Sequence, residues 1–480
     1  MSERYDVVVI GGGVVGAAIA RELSRFRLRI ALLERQAEVG FGTSKTNSGI
    51  IHPGHDTSPA TLKGRLVVRG NALYDRLAAE LHFGFRRIGQ LNVALEPADL
   101  EVLQRLKAQG DAKGVPGLEL WDRARLRREE PNLSRELWGA LHAPSAGVIN
   151  PYELVFALVE SAERNGVALA VDCPVTALAA DGDGLAVHTP RGVFRGRFVL
   201  NCAGVESDRV AALAGAQTFT ITPRKGEEYM LDKRLEGLVR RLVFPVPSPK
   251  TKGTLIIPTF DGTIMVGPTA EDVEDRDDVA TTARGAAAVF AFVRRLCPSI
   301  DPRDAITAFA GLRAVADGND FVIGPTSVRG FVHVAGIQSP GLTAAPAIAE
   351  HVRDLLAAEG LALVAKPDFE PGVRAPARFA HLAPEVQEAL AARDPRFARV
   401  VCRCELVTEA EIDDAVDHGA RTLDGLKFRT RAGMGRCQGG FCTPRAMEIL
   451  ARRLGVPLHA VTKRGGGSWI ALPMGAEQEA

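Results

Sequence analysis

The sequence predicts an α/β protein built on a parallel nucleotide-binding unit, with a small separate module near the C-terminus. Three observations carry this reading. The apolar run Val7–Ile10 leads into Gly11-x-Gly13-x-x-Gly16, and a helix-like stretch and a second apolar run, Ile30–Leu33, follow. Through the first three-quarters of the chain, short apolar runs alternate with longer amphipathic stretches, as strands do when crossover helices join them. Beyond a proline-rich segment, Cys402, Cys404, Cys437 and Cys442 form a C-x-C pair and a C-x4-C pair.

Bulk properties set the bounds. At 480 residues the chain exceeds one core, and roughly 150 residues per domain gives about three domains. The 59 basic and 58 acidic residues leave a net charge of +1, which excludes the basic footprint of a nucleic-acid binder. Met1-Ser2-Glu3-Arg4 runs straight into an apolar strand without a leader pattern. The longest apolar stretch, Val7–Ala20, is broken by Gly11, Gly12, Gly13 and Gly16 and falls short of the about 20 residues that a membrane helix needs. A cytoplasmic location is expected, with membrane contact only through a partner. In that compartment seven cysteines argue for metal or redox chemistry over disulfides, and the scattered Cys173, Cys202 and Cys297 read as buried thiols.

The elements follow in order. Asp6–Glu34 reads as strand, glycine turn, helix (Ala17–Ser24) and strand, a parallel βαβ unit. Further strands are expected at Phe198–Leu200, Leu255–Ile257, Ile264–Val266 and Phe331–Val334, and helices over Pro151–Asn165 and Thr343–Ala358. From Glu359, the prolines Pro367, Pro371, Pro376 and Pro384 mark an inter-domain linker. In the cysteine module, Thr408-x-x-Glu411 is a capping box that starts a helix ending near His418-Gly419. From Gly465 onward only the short apolar run Trp469–Met474 remains, so a loose tail is expected.

The glycine fingerprint gains force from its context. It follows a strand and opens a helix, whose N-terminus faces a pyrophosphate, and Glu34 ends the next strand at the spacing suited to the adenosine ribose. The fingerprint alone does not separate FAD from NAD. Two later stretches favour FAD: Val199-Leu200-Asn201-Cys202-Ala203-Gly204, a strand ending in small residues, and Gly336-Ile337-Gln338-Ser339-Pro340-Gly341-Leu342-Thr343, a turn opening a helix whose N-terminus suits charge on a reduced flavin.

Four further stretches are Thr43-Ser44-Lys45-Thr46-Asn47-Ser48-Gly49-Ile50-Ile51-His52, Gly267-Pro268-Thr269-Ala270, Ala310-Gly311-Leu312-Arg313 and Ser339-Pro340-Gly341-Leu342-Thr343-Ala344-Ala345-Pro346. Through them, residues 1–360 resemble the glycine oxidase and D-amino-acid oxidase superfamily. Within it the chain looks most like glycerol-3-phosphate dehydrogenases and oxidases and L-2-hydroxyglutarate oxidoreductases. The cysteine spacing fits neither paired zinc knuckles nor a plant-type ferredoxin. With Arg431-Ala432-Gly433-Met434-Gly435-Arg436-Cys437-Gln438-Gly439-Gly440-Phe441-Cys442 it resembles the bacterioferritin-associated ferredoxin-like [2Fe-2S] domain, a structural zinc being the alternative.

The resemblance implies a Rossmann-like FAD-binding domain over 1–360, with an antiparallel-sheet substrate domain inserted at about 85–145 and 220–300. A linker over 361–395, a small helical [2Fe-2S] domain over 396–462 and a tail over 463–480 complete the chain. FAD contacts are implied for Gly11, Gly13, Val14, Val15, Gly16, Glu34, Arg35, Thr43, Ser44, Asn47, Ser48, Gly49, Val175, Ala203, Gly204, Gly311, Arg313, Gly336, Gln338, Ser339, Gly341, Leu342 and Thr343. Cys402, Cys404, Cys437 and Cys442 are the implied cluster ligands.

Hydride transfer from an alcohol carbon needs a base for the hydroxyl proton and cations for an anionic substrate. His52 is the candidate base, with His55 in reserve, and the alternative for His52 is a role in positioning. Arg313 resembles the family arginine that grips the anion, and Lys252 resembles a family lysine that adds a second charge. Two cations suit a phosphate as well as the carboxylates of 2-hydroxyglutarate. The domain order favours glycerol 3-phosphate, since it resembles the catalytic subunits of anaerobic glycerol-3-phosphate dehydrogenases, although these carry a longer, different region before the cysteine module. The expected function is oxidation of glycerol 3-phosphate to dihydroxyacetone phosphate, hydride passing to FAD and single electrons through the cluster to a partner redox subunit, an acceptor protein or a quinone-linked acceptor. The alternatives are an L-2-hydroxyglutarate, amine or imino-acid dehydrogenase, and a non-catalytic electron-transfer subunit.

Overall fold

The structure, a computed structural model, describes residues 4–247 and 253–473. Its first sheet grows out of the glycine fingerprint. Strand Arg4–Ile10 pairs in parallel with Ile30–Leu33 on one side and with Gly192–Asn201 on the other. Ala168–Ala170 extends one flank in parallel, and Phe331–Ala335 pairs in parallel with Gly192–Asn201. Val7 and Val9 enter one core with Ala17, Ile19, Leu158 and Ile348 of the helices Val14–Leu23, Pro151–Arg164 and Gly341–Ala358. Val8 and Ile10 enter a second core on the opposite face with Leu185, Val187 and Val210. Both faces are dry, which is why the strand reads as an unbroken apolar run.

The expected inserted domain is present as a nine-stranded sheet, with two differences. Strand Ala305–Ala316 lies beyond the expected end of the second insertion, yet it pairs along almost the whole of Ile221–Leu231. The sheet is also not purely antiparallel. Gln90–Ala94 from the first insertion pairs in parallel with Leu242–Pro245 from the second, because the two arrive from segments separated by a return through the first sheet. Its core, including Leu91, Trp121, Tyr229, Ile256 and Val293, is separate from that of the first sheet.

The linker is not a free span. Arg27 N–H donates to Val364 O at 2.8 Å, Lys366 N–H donates to Arg25 O at 2.8 Å, and Arg21 donates to Pro371 O at 2.8 Å, so this stretch straps the end of the first helix. The chain then forms the helix Pro384–Arg393. Residues 463–473 likewise differ from the loose tail expected: Thr462 bridges Trp469, and Gly465 packs so closely that a Cβ there would lie 2.4 Å from Ala37 Cβ. The remainder of that tail is outside the described residues.

The cysteine module has its own core, from Val401 to Val461, under the helices Glu409–Asp417, Leu423–Thr430 and Thr443–Leu454. The expected capping box is formed, with Thr408 accepting from Glu411 N–H and Glu411 accepting from Thr408 N–H. The module docks on both other domains. Arg429 pairs with Glu38 at 2.7 Å, Phe428 meets Phe41 and Tyr152, and Arg436 pairs with Asp232 at 2.6 Å. At the centre lies Arg431, in the left-handed position after its helix (φ 71). It holds Asp261 of the second sheet at 2.7 Å and Glu405 of the cysteine loop at 2.8 Å, and donates to Tyr152 OH at 3.4 Å.

The two carboxylates of Arg431 are 1% and 3% exposed, so Arg431→Ala leaves Asp261 buried without an ion pair among the described residues and leaves Glu405 with Lys233 alone. An expected cost of roughly 3–5 kcal/mol should appear as a large fall in the thermal midpoint. Arg436→Ala, at a pair whose arginine is 70% exposed, should leave the midpoint nearly unchanged. Equal effects would show that Arg431 is an ordinary surface cation.

Candidate functional site

A cavity of about 890 Å³ runs from the glycine turn to the inner face of the second sheet. At its first end the backbone is brought close by glycine. Gly11 holds φ +110, and a Cβ there would lie 2.4 Å from Cys202 O; at Gly16 a Cβ would lie 2.0 Å from Gly11 O. Glu34 ends its strand with both carboxylate oxygens engaged, Oε2 by Gly12 N–H at 2.8 Å and Oε1 by Gln36 N–H at 2.9 Å. Burial pushes its pKa up. Ser44 Oγ accepts from Val14 N–H at 2.9 Å, which fixes the Thr43–Lys45 turn over the helix N-terminus. This cradle of small residues, helix terminus and carboxylate fits a dinucleotide.

Of the residues expected to hold FAD, Gly11, Gly13, Val14, Val15, Glu34, Arg35, Thr43, Ser44, Asn47, Ser48, Val175, Ala203, Gly204, Gly311, Arg313, Gln338, Ser339, Gly341 and Leu342 line this one cavity. Gly16, Gly49, Gly336 and Thr343 do not, and their roles are in the scaffold. Gly16 permits strand–helix contact, Gly49 (φ +60) would put a Cβ 2.5 Å from Ile149 O, and Gly336 holds φ +65 against Ala316. Thr343 is buried, and its Oγ1 accepts from His52 N–H at 2.9 Å.

His52 lines the cavity from the end of strand Ile50–Ile51. Its Nε2 lies 3.5 Å from Ser339 Oγ, its carbonyl accepts from Asn71 at 2.9 Å, and its ring stands edge-on to Phe244 at 6.0 Å. The reserve candidate is elsewhere: His55 is fully buried, with Nε2 2.9 Å from Asn92 Oδ1, because Gly54 (φ +94) turns the chain away. Arg313 also lines the cavity. Burial lowers its pKa, and it makes only long contacts of 3.4 Å to the carbonyls of Arg224 and Thr269. Among the described residues it forms no ion pair, and Gly226 opposite leaves room for it, since a Cβ there would lie 2.5 Å from Nη2. A guanidinium so placed is suited to an incoming anion. Lys252 lies outside the described residues.

The sequence reading missed Glu228. Strand alternation turns the two successive glutamates apart. Glu227 accepts from Tyr229 OH and Thr282 inside the core, whereas Glu228 faces the cavity. Ser48 Oγ donates to Glu228 Oε1, and Oε2 has no hydrogen-bond partner among the described residues. Burial pushes its pKa up to about 7, against the pull of Ser48 and Arg313. The strand also carries Arg224 and Lys225, so nothing in its sequence sets Glu228 apart.

In the cysteine module the four thiols form two close pairs. Cys404 and Cys437 are exposed, with their sulfurs 3.6 Å apart, while Cys402 and Cys442 are buried in the core of the module and interact with each other. Gly435 lets the two loops meet, since a Cβ there would lie 2.4 Å from Cys404 Cβ, and backbone N–H groups of Gly439 and Phe441 favour the thiolate of Cys437. Four thiolate-capable sulfurs in two pairs fit a two-iron cluster.

Glu228 gives a pH dependence whose sign is fixed. The folded chain holds this proton more tightly than the unfolded chain, whose carboxyl titrates near 4.5. The stability it contributes is therefore full below about pH 4.5 and is lost as pH rises through about 7. Glu228→Gln should flatten that decline and leave the protein up to about 3 kcal/mol more stable above pH 7, read from thermal unfolding between pH 5 and 8. Parallel profiles for the two proteins would contradict the assignment.

Known proteins agree with this geometry. Residues 6–355 match the family described as FAD dependent oxidoreductase, and residues 400–452 match the BFD-like [2Fe-2S] binding domain. The chain is 41% identical over 469 residues to a glycerol 3-phosphate dehydrogenase of Caloramator mitchellensis, covering 97% of this chain and 98% of that one. It thus has a counterpart along both domains and the linker, where the sequence reading expected a shared architecture alone. A glycerol 3-phosphate oxidase of Mycoplasma pneumoniae is 31% identical over 379 residues, covering 76% of this chain and 97% of the oxidase. The structure of dithionite-reduced L-alpha-glycerophosphate oxidase from Mycoplasma pneumoniae with FAD bound aligns at a TM-score of 0.74 and 30% identity, covering 77% of this chain and 98% of that one. FAD and a [2Fe-2S] cluster are the cofactors of the two matched domains. The chain belongs to the FAD dependent oxidoreductase family and carries a BFD-like [2Fe-2S] binding domain at its C-terminal end.

Proposed function

We propose that the protein is a glycerol-3-phosphate dehydrogenase that oxidises the C2 hydroxyl to give dihydroxyacetone phosphate. The observation that carries this reading is the pairing, in one cavity, of His52 with an arginine that makes no ion pair among the described residues, Arg313. The relatives named glycerol 3-phosphate dehydrogenase and glycerol 3-phosphate oxidase support the choice of substrate.

Arg313 binds the phosphate of the substrate, and Lys252 is assigned a second cationic contact. His52 takes the hydroxyl proton, with its backbone fixed by Thr343 and Asn71 and its ring steadied by Ser339 and Phe244. The glycine turn, Glu34 and the Thr43–Lys45 turn would hold FAD, which would supply a hydride acceptor, and Cys402, Cys404, Cys437 and Cys442 would hold the [2Fe-2S] cluster, which would supply one-electron transfer. The acceptor is assigned to a protein, either a partner redox subunit or a carrier in a quinone-linked route. In support, Cys404 and Cys437 are exposed, and Phe441, next to Cys442, is 70% exposed with Arg403 over its ring at 5.0 Å. Among the described residues no helix is long and apolar enough to cross a membrane.

Initial rates with a dye acceptor test the substrate. Glycerol 3-phosphate should exceed L-2-hydroxyglutarate, sarcosine and hydroxyproline in kcat/KM by at least about 100-fold. A higher value for any of the others would overturn the assignment, and no turnover with any would favour a non-catalytic electron-transfer subunit. His52→Ala should lower kcat by about 10²–10⁴-fold in protein that retains its flavin. Arg313→Ala should act mainly on KM. Unchanged kcat in the His52 variant would remove it as the base.

A further inference from the structure

We propose that Glu228 determines specificity by hydrogen-bonding a neutral hydroxyl beside the reacting carbon of the anionic substrate, and so selects a hydroxymethyl group there over a carboxylate. This rests on the glycerol 3-phosphate reading and says which end of that substrate lies where. Arg313 takes the phosphate, and Glu228 takes the C1 hydroxyl.

Position and hydrogen bonding carry the inference. Glu228 lies on strand Ile221–Leu231, and Arg313 lies on the neighbouring strand Ala305–Ala316; both line the cavity that also holds His52. Its carboxyl is buried, with Oε1 tied to Ser48 of the turn that leads to His52. The backbone is hemmed in from the other side, since a Cβ on Gly267 would lie 3.1 Å from Glu228 Cα. The second oxygen, Oε2, has no hydrogen-bond partner among the described residues. A buried polar atom without a partner is costly, so a small turn of the side chain that brings Oε2 out to the cavity and lets a ligand hydroxyl complete it is favourable.

The chemistry of the partner follows from the carboxyl group. A hydroxyl both donates and accepts, so it matches Glu228 in either protonation state. A carboxylate in that place puts two acids on one site, and one of them must take up a proton before it fits. The carboxyl also interacts with Arg313 and thereby offsets part of its charge, so the site as a whole favours one anionic group and one neutral end.

The test compares two substrates in the FAD-loaded, cluster-loaded protein. Glycerol 3-phosphate is set against 2-hydroxypropyl phosphate, which keeps the phosphate and the reacting carbon and lacks only the C1 hydroxyl. The parent should prefer glycerol 3-phosphate by about 100-fold in kcat/KM. In Glu228→Ala that ratio should collapse to within a few-fold, and in Glu228→Gln, whose amide also donates and accepts, much of it should remain. The flavin absorption band confirms that each variant is folded and loaded. A parent that does not discriminate, or a Glu228→Ala variant that slows both substrates by the same factor, overturns the inference while leaving the glycerol 3-phosphate reading intact. A parent that turns over neither substrate overturns both.

Discussion

The burial of Arg431 is the constraint on which the arrangement of the three parts depends. One guanidinium meets a carboxylate from the substrate sheet, a carboxylate from the cysteine loop and a phenol from a helix of the flavin domain. Removing charges from water is costly unless all partners are present together, so this contact forms only when the three parts are docked. Glu405 is adjacent to Cys404 and is also held by Lys233, so one surface loop of the second sheet and one buried arginine together fix the cysteine loop. Around them the contacts turn aromatic, with Lys45 against Phe41 and Phe428, where burial lowers its pKa to about 8.

That docking places a two-electron site and a one-electron site on one rigidly connected chain. The cavity lies between two sheets with separate cores, so the nucleotide cradle is set by the first sheet and the opposite wall, the proposed substrate side, by the second. His52 and Ser48 come from the flavin side, while Arg313 and Glu228 come from the substrate side. The proposed chemistry draws on both sheets at once, so neither insertion alone carries the candidate site.

Much of this was legible in the sequence where the determinant is local. The βαβ unit follows from unbroken apolar runs and a glycine turn, and the capping box at Thr408 fixes its helix within four residues. Many of the residues expected at the flavin line one cavity because they lie at a strand end or helix start, the places where backbone approaches a ligand, whereas Gly311 and Arg313 reach it from within the strand Ala305–Ala316. Non-local pairing was not legible. The parallel junction of Gln90–Ala94 with Leu242–Pro245 and the membership of Ala305–Ala316 in the second sheet depend on contacts far apart in sequence. The linker reading stopped at its prolines, whereas its carbonyls bond the end of the first helix. His55 and Glu228 show the same limit: the first sits near His52 in sequence but is turned away, and the second gains its meaning only from the strand face on which it falls.

The central claim, that electrons from a small hydroxy substrate leave through the cysteine module of the same chain, is tested most directly by anaerobic mixing with glycerol 3-phosphate. The flavin absorption band and the electron paramagnetic resonance signal of the cluster are followed together in protein shown beforehand to hold both cofactors. The account predicts bleaching of the flavin band accompanied by the signal of a reduced cluster. Bleaching with the cluster left oxidised would contradict it.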